Sequence, residues 1–129
     1  SREQAFILIF EQIFHPDATV DEILDAAGVS DDVQYPDDFA VSLAEKAAQE
    51  RDKADEIITK FAKGWKLNRL SRVSLALLRM AICEILFFDD IPGGVSVNES
   101  VELAKKYATP EDASYINGVL GSFLRSLDA

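Results

Sequence analysis

Residues 70–88 read Leu-Ser-Arg-Val-Ser-Leu-Ala-Leu-Leu-Arg-Met-Ala-Ile-Cys-Glu-Ile-Leu-Phe-Phe, the most apolar stretch of the chain. Val73, Leu75, Leu77, Leu78, Met80, Ala81, Ile82 and Ile85 recur at helical spacing and cover most of a helix circumference. Such a helix sits in a core with neighbours on several sides. Arg79, carried inside it, needs a partner, with Glu84 or a backbone carbonyl as candidates. Cys83 lies in the same run and reads as a small core residue rather than a nucleophile.

On the C-terminal side, Asp89 to Gly94 reads as a loop containing Pro92-Gly93-Gly94. Ser96-Val-Asn-Glu99 then matches a capping box, which predicts a helix from Ser96 to about Ala108. Thr109-Pro110-Glu-Asp112 marks the next start, with Thr109 as cap and Pro110 as first helical residue. Gly118 and Gly121 lie inside that last helix, each at a cost of ~1 kcal/mol against Ala, and close approach of another helix is the expected compensation.

On the N-terminal side, Trp65-Lys66-Leu67 reads as a connector after Gly64. A single long helix is expected from Pro36 to about Ala62, carrying Phe39, Leu43, Ala47, Ala54, Ile57, Ile58 and Phe61 inward. Residues 30–36 read as loop, and residues 20–27 as a short helix capped by Thr19 and stopped by Gly28. Residues 2–14 form the first helix, halted at His15-Pro16. Ala5 to Phe10 with Ile13 and Phe14 make it apolar nearly all round, so it is central or covered by another chain. No strand or repeat is visible. The reading is all-α, about seven helices, with a break near Gly64 dividing helical subdomains of about 1–64 and 65–129.

The chain has 129 residues, 48% of them hydrophobic, and a formal net charge of −10. That size buries roughly two-thirds of the surface its unfolded chain exposes. One cysteine excludes an internal disulfide framework and a cysteine zinc site. No apolar run is long enough to span a bilayer, so no membrane role is expected and a cytoplasmic location is. Residues 17–56 hold 13 acidic against 3 basic side chains and so carry the whole imbalance. Residues 57–83 hold six bases (Lys60, Lys63, Lys66, Arg69, Arg72, Arg79) and a first acid only at Glu84. That strip is either a solvated face or a local anion-binding surface. Contacts are made within about a Debye length, ~8 Å, so an acidic total does not exclude RNA. His15 has no second histidine near it, the acidic pairs sit in loops or at helix starts, and no nucleophile, base and oxyanion site assemble. A catalytic residue, a metal site and a cofactor are not expected.

Several ordered motifs resemble the NusB family of bacterial transcription antitermination factors. They are Leu77-Leu78-Arg79-Met80-Ala81, Glu84-Ile85-Leu86, Ile91-Pro92, Val97 through Tyr107, and Tyr115-Ile-Asn-Gly-Val-Leu120. Arg2-Glu3-x-Ala5 with Leu8 and Phe10 fits the family's first helix. The resemblance is strong over 65–121 and weak over 17–60. It implies an all-α fold of two helical subdomains that binds boxA RNA of ribosomal RNA leaders together with the ribosomal protein NusE, within the RNA polymerase antitermination complex. Homodimers occur in some members. Carried over residue by residue, the implied RNA contacts are Arg2, Lys105, Lys106, Tyr107, Tyr115 and Asn117. Tyr107 reads equally as a helix-end anchor, Tyr115 as a core-edge residue, and Asn117 as a structural bond to a neighbouring loop. Ser74 stands where the family often has an acid on its NusE surface, and Phe10 and Phe14 are the other candidates for a protein partner or dimer contact. The same fold resembles the accessory domain of some ribosomal RNA methyltransferases, and a homodimeric helical adaptor is a further alternative.

Overall fold

A computed structural model describes residues 1–26, 36–62 and 69–128. Seven helices appear among them: α1 Arg2–Phe14, α2 Val20–Ala26, α3 Asp38–Gln49, α4 Arg51–Phe61, α5 Arg72–Phe87, α6 Gly93–Tyr107 and α7 Pro110–Ser126. The expected stop at Gly28, the 30–36 loop as far as Tyr35, the Trp65 connector and the break at Gly64 lie outside the described residues. None of the described helices is long and apolar enough to cross a membrane.

Helix α5 is the axis of the fold. Ala76, Leu77, Leu78, Met80, Ala81, Ile82 and Cys83 are all buried, and α1, α3, α4, α6 and α7 each pack on it. Burial pushes the Cys83 thiol up to about 12, so it stays a neutral core residue. Ser71 caps α5, its hydroxyl accepting the Ser74 amide at 3.1 Å. Helix α1 buries Ala5, Phe6, Leu8 and Ile9 and lies against α2, α3 and α5, which accounts for most of its apolar circumference within one chain.

Three local expectations are corrected. The long helix expected from Pro36 to Ala62 is two, broken at Glu50, whose φ of −105° and ψ of 22° leave the helical region. No Gly or Pro marks the break. Helix α3 packs on α1 and α5, whereas α4 packs on α5 and α7, and the turn at Glu50 allows each segment its own set of neighbours. The capping box expected at Ser96–Glu99 is absent: α6 starts three residues earlier, at Gly93 after Pro92, and Ser96 is buried within it. A capping box does form at Thr109 and Asp112, with Pro110 at the first position of α7.

The third concerns the glycines. A Cβ on Gly118 would meet nothing within 4 Å among the described residues, and one on Gly121 would meet only Arg125 of its own helix. The close approach is instead at Gly93, where a Cβ would lie 2.4 Å from Cδ1 of Leu124. Gly93 thus lets the start of α6 nest against the end of α7.

Candidate nucleic-acid interface

Helices α6 and α7 pack side by side through the two-residue link Ala108–Thr109. Leu103 and Ala104 of α6 and Ala113, Ile116 and Leu120 of α7 turn inward, which leaves Lys105, Lys106, Ser114 and Asn117 outward. Lys105 and Asn117 line one groove of ≈ 580 Å³ between the two helices, with Val101, Pro110, Ala113 and Ser114 as its remaining walls. The Asn117 amide makes no hydrogen bond among the described residues, so the expected structural bond to a loop is not seen there. Lys105 pairs with Glu102 one turn earlier at 3.0 Å, both more than half exposed. An exposed pair of this kind contributes little and opens readily.

Lys106 and Tyr107 face the first turn of α1. Lys106 Nζ lies 2.6 Å from Oε1 of Glu3, and the Tyr107 hydroxyl donates to the same oxygen. The two donors hold the Glu3 carboxyl below the usual carboxylate range, while the bond to Glu3 raises Lys106 and Tyr107 in turn. The Tyr107 ring packs on Phe6 with centroids 5.1 Å apart, has Lys106 Nζ over it at 5.2 Å, and stays 38% exposed. The ring is thus a helix-end anchor, and its exposed part is what remains for a base.

Arg2 points the other way. Its guanidinium donates twice to Glu84 Oε1, from Nε at 2.9 Å and Nη2 at 2.8 Å, and Nε is also 3.1 Å from Oε2. Glu84 is 1% exposed on the buried helix α5, and Ser96 of α6 donates to it at 2.8 Å. A charge removed from water is tolerable only when its lone pairs are satisfied in this way. Arg2 also lies over the Phe39 ring at 5.7 Å. It therefore ties α1 to α5 and α3, and its guanidinium is engaged within the fold. The partner of Arg79 is not Glu84 but Asp55 of α4, through paired bonds of 2.7 and 2.8 Å. Glu84 is already taken by Arg2, and α4 packs directly on α5.

Tyr115 is separated from Asn117 by the helix itself, since two residues on an α-helix subtend about 200°. It lies in a second cavity with Phe61, Ala62, Gly118, Val119, Ser122 and Arg125. Its hydroxyl donates to the Ala62 carbonyl at 3.4 Å, and partial burial raises its pKa. Ser74 is 1% exposed and accepts a bond from the Ser71 hydroxyl at 2.9 Å, so it lies beneath the surface rather than on it. Phe10 and Phe14 stack edge-to-face, centroids 5.2 Å apart, and Arg72 caps the exposed Phe14 ring at 5.1 Å. Tyr107, Phe6, Phe10 and Phe14 thereby form an aromatic row that runs along α1. The basic strip is divided: Arg79 is paired, Arg72 is stacked, Lys60 lies over the Phe61 ring, Arg69 is exposed, and Lys63 and Lys66 lie outside the described residues.

In the sequence Glu3 stands out only as part of the Arg2-Glu3-x-Ala5 motif, although it touches two of the implied RNA residues. It lies 103 positions from Lys106, a separation that no local pattern reports.

Residues 1–125 match the model of the NusB family. The chain is 41% identical over 133 aligned positions to the transcription antitermination protein NusB of Natranaerobius thermophilus, covering 99% of this chain and 94% of that one. Among solved structures it is similar to T. maritima NusB, with a TM-score of 0.77 and 30% identity over 94% of this chain and 85% of the other. It also shares its fold with a chain from the crystal structure of the antitermination factors NusB and NusE in complex with double-stranded RNA. There the TM-score is 0.83 at 24% identity, over 97% of this chain and 93% of that one. With its buried α5, its α6–α7 pair and a match over nearly its whole length, the chain belongs to the NusB family of transcription antitermination proteins.

Proposed function

We propose that this chain binds boxA-type RNA of ribosomal RNA leaders jointly with the ribosomal protein NusE and so helps RNA polymerase read through terminators. The observation that carries the reading is that Lys105 and Asn117 line one groove between α6 and α7 while Lys106 and Tyr107 come together at the end of α6. It offers two ammonium groups for phosphates, a part-exposed aromatic ring with Lys106 Nζ over it at 5.2 Å, and an unengaged amide for a base edge. Lysines neutralise phosphate, while a stacked base contributes ~1–3 kcal/mol without strong sequence preference, so the pattern suits single-stranded RNA.

We place the protein partner on the exposed end of the aromatic row, where Phe14 with Arg72 above it adjoins Phe10. Aromatic and arginine side chains are the usual anchors of protein interfaces. A homodimer through that face is the competing use of it. In this reading the halves 1–64 and 65–129 act as one body, because Arg2 of α1 holds Glu84 of α5.

The test is a gel shift with boxA RNA and a scrambled control, with and without the NusE partner, across a salt series. Specific binding by the binary complex is expected, and reversal of both Lys105 and Lys106 to Glu should weaken it and flatten the salt dependence. No binding by the binary complex at low salt would overturn the reading.

A further inference from the structure

The Lys106–Glu3–Tyr107 cluster brings two donors from α6 onto one carboxylate oxygen of α1. An ammonium and a hydroxyl converging on one anionic oxygen is also how a protein holds a non-bridging phosphate oxygen. The cluster is open to solvent: the Lys106 side chain is 59% exposed and that of Glu3 39%. Among the described residues the terminal ammonium of Ser1 also acts on Glu3 through its charge, and the second Glu3 oxygen accepts no bond there. The ring that contributes the hydroxyl also carries Lys106 Nζ over it at 5.2 Å and is 38% exposed, so ammonium, hydroxyl and ring lie at one place. The same residues thus carry the RNA chemistry and hold an internal anion.

We propose that Glu3 is an internal stand-in for an RNA phosphate, occupying Lys106 and Tyr107 in the free chain and yielding them when a phosphodiester binds. The inference rests on the RNA-binding reading above and adds an affinity-setting residue to it. Two consequences follow from elementary electrostatics. Binding of a phosphate at Lys106 breaks an existing ion pair, so part of the gain is offset by the released carboxylate. The released carboxylate also gathers cations from solution, so the salt dependence of RNA binding is shallower than the number of lysine contacts suggests.

The experiment measures binding of fluorescently labelled boxA RNA by anisotropy, with the NusE partner present, across a salt series. It compares the wild-type chain, Glu3→Gln, Glu11→Gln, Lys106→Ala and the double variant Glu3→Gln/Lys106→Ala. Glu11→Gln removes the same charge from an exposed position of α1 that has no ion pair. Because exposed ion pairs are weak, Glu3→Gln should tighten binding by about two- to fivefold. Its log–log salt slope should steepen by up to about one, and Glu11→Gln should change both quantities less. The gain should shrink when Lys106 is already Ala, which identifies contact rather than distant charge. Equal gains for Glu3→Gln and Glu11→Gln overturn the proposal while leaving the RNA reading intact, as does unchanged or weaker binding by Glu3→Gln. If neither the wild-type chain nor Glu3→Gln binds RNA, both fall. Thermal melting of each variant separates any of these results from a loss of fold.

Discussion

Arg2 and Glu3 are consecutive residues at the start of one helix, and each forms an ion pair with a hydroxyl at its side. Arg2 turns inward to Glu84, where Ser96 completes the site and the carboxylate is 1% exposed. Glu3 turns outward to Lys106, where Tyr107 completes the site in open solvent. The chemistry is nearly the same, yet the consequences are opposite. In the buried cluster removal of one member strands a charge or a polar group away from water, so the cluster is a structural joint. In the exposed cluster water and salt replace any partner, so the cluster is exchangeable. Burial, rather than the residue types, decides which ion pair holds the fold and which is available to a ligand.

The comparison breaks most readily at Glu84. Glu84→Ala leaves Arg2 and Ser96 without their acceptor, and a loss of about 3 kcal/mol is expected in urea denaturation, the lower end for a broken buried pair because Arg2 keeps 23% exposure. A loss under ~1 kcal/mol would mean that the inner cluster is no joint. Arg79→Ala strips the paired bonds to Asp55 at a half-buried site, side chains 13% and 21% exposed, and should cost about 1–2 kcal/mol by the same measurement. An effect equal to that of Glu84→Ala would show that depth of burial does not order these pairs. Gly118→Ala goes the other way: with no described neighbour near the new methyl group, helix propensity alone acts and stability should rise by about 0.5–1 kcal/mol. A destabilised variant would reveal an approach at that face. Smallest of all, Glu3→Gln should leave the melting temperature unchanged while altering RNA affinity, and a large drop in Tm would move Glu3 into the structural class.

Much of the fold is legible in the sequence because it is written locally. The bounds of α1 follow from an apolar run closed by His15-Pro16, and the start of α7 from Thr109-Pro110 with Asp112 behind them. The central place of α5 follows from its unbroken apolar circumference. Local signals also mislead where a distant group competes for the same atoms. Ser96 and Glu99 have the spacing of a capping box, but the Ser96 hydroxyl is drawn to Glu84, twelve residues away on another helix. The turn at Glu50 has no marker residue, because it arises from α3 and α4 serving different neighbours. Gly118 and Gly121 looked like contact glycines by spacing alone, whereas Gly93 has a contact no spacing announced. Of the candidate site, Lys105, Lys106 and Tyr107 were readable as lysines beside an aromatic ring at a helix end. The groove that Lys105 shares with Asn117, the separation of Tyr115, the burial of Ser74 and the engagement of Arg2 were not.

The all-α class, the order of most of the helices and the family are written in local signals, because periodicity, caps and ordered motifs act over a few neighbouring residues. Only the tertiary structure decided which charges meet. An ion pair is set by where two helices bring their side chains, so Arg2 found Glu84, Arg79 found Asp55 and Glu3 found Lys106 across 82, 24 and 103 positions of chain. Burial then decided what each pair does, since the same attraction is a structural joint in the core and an exchangeable contact in water.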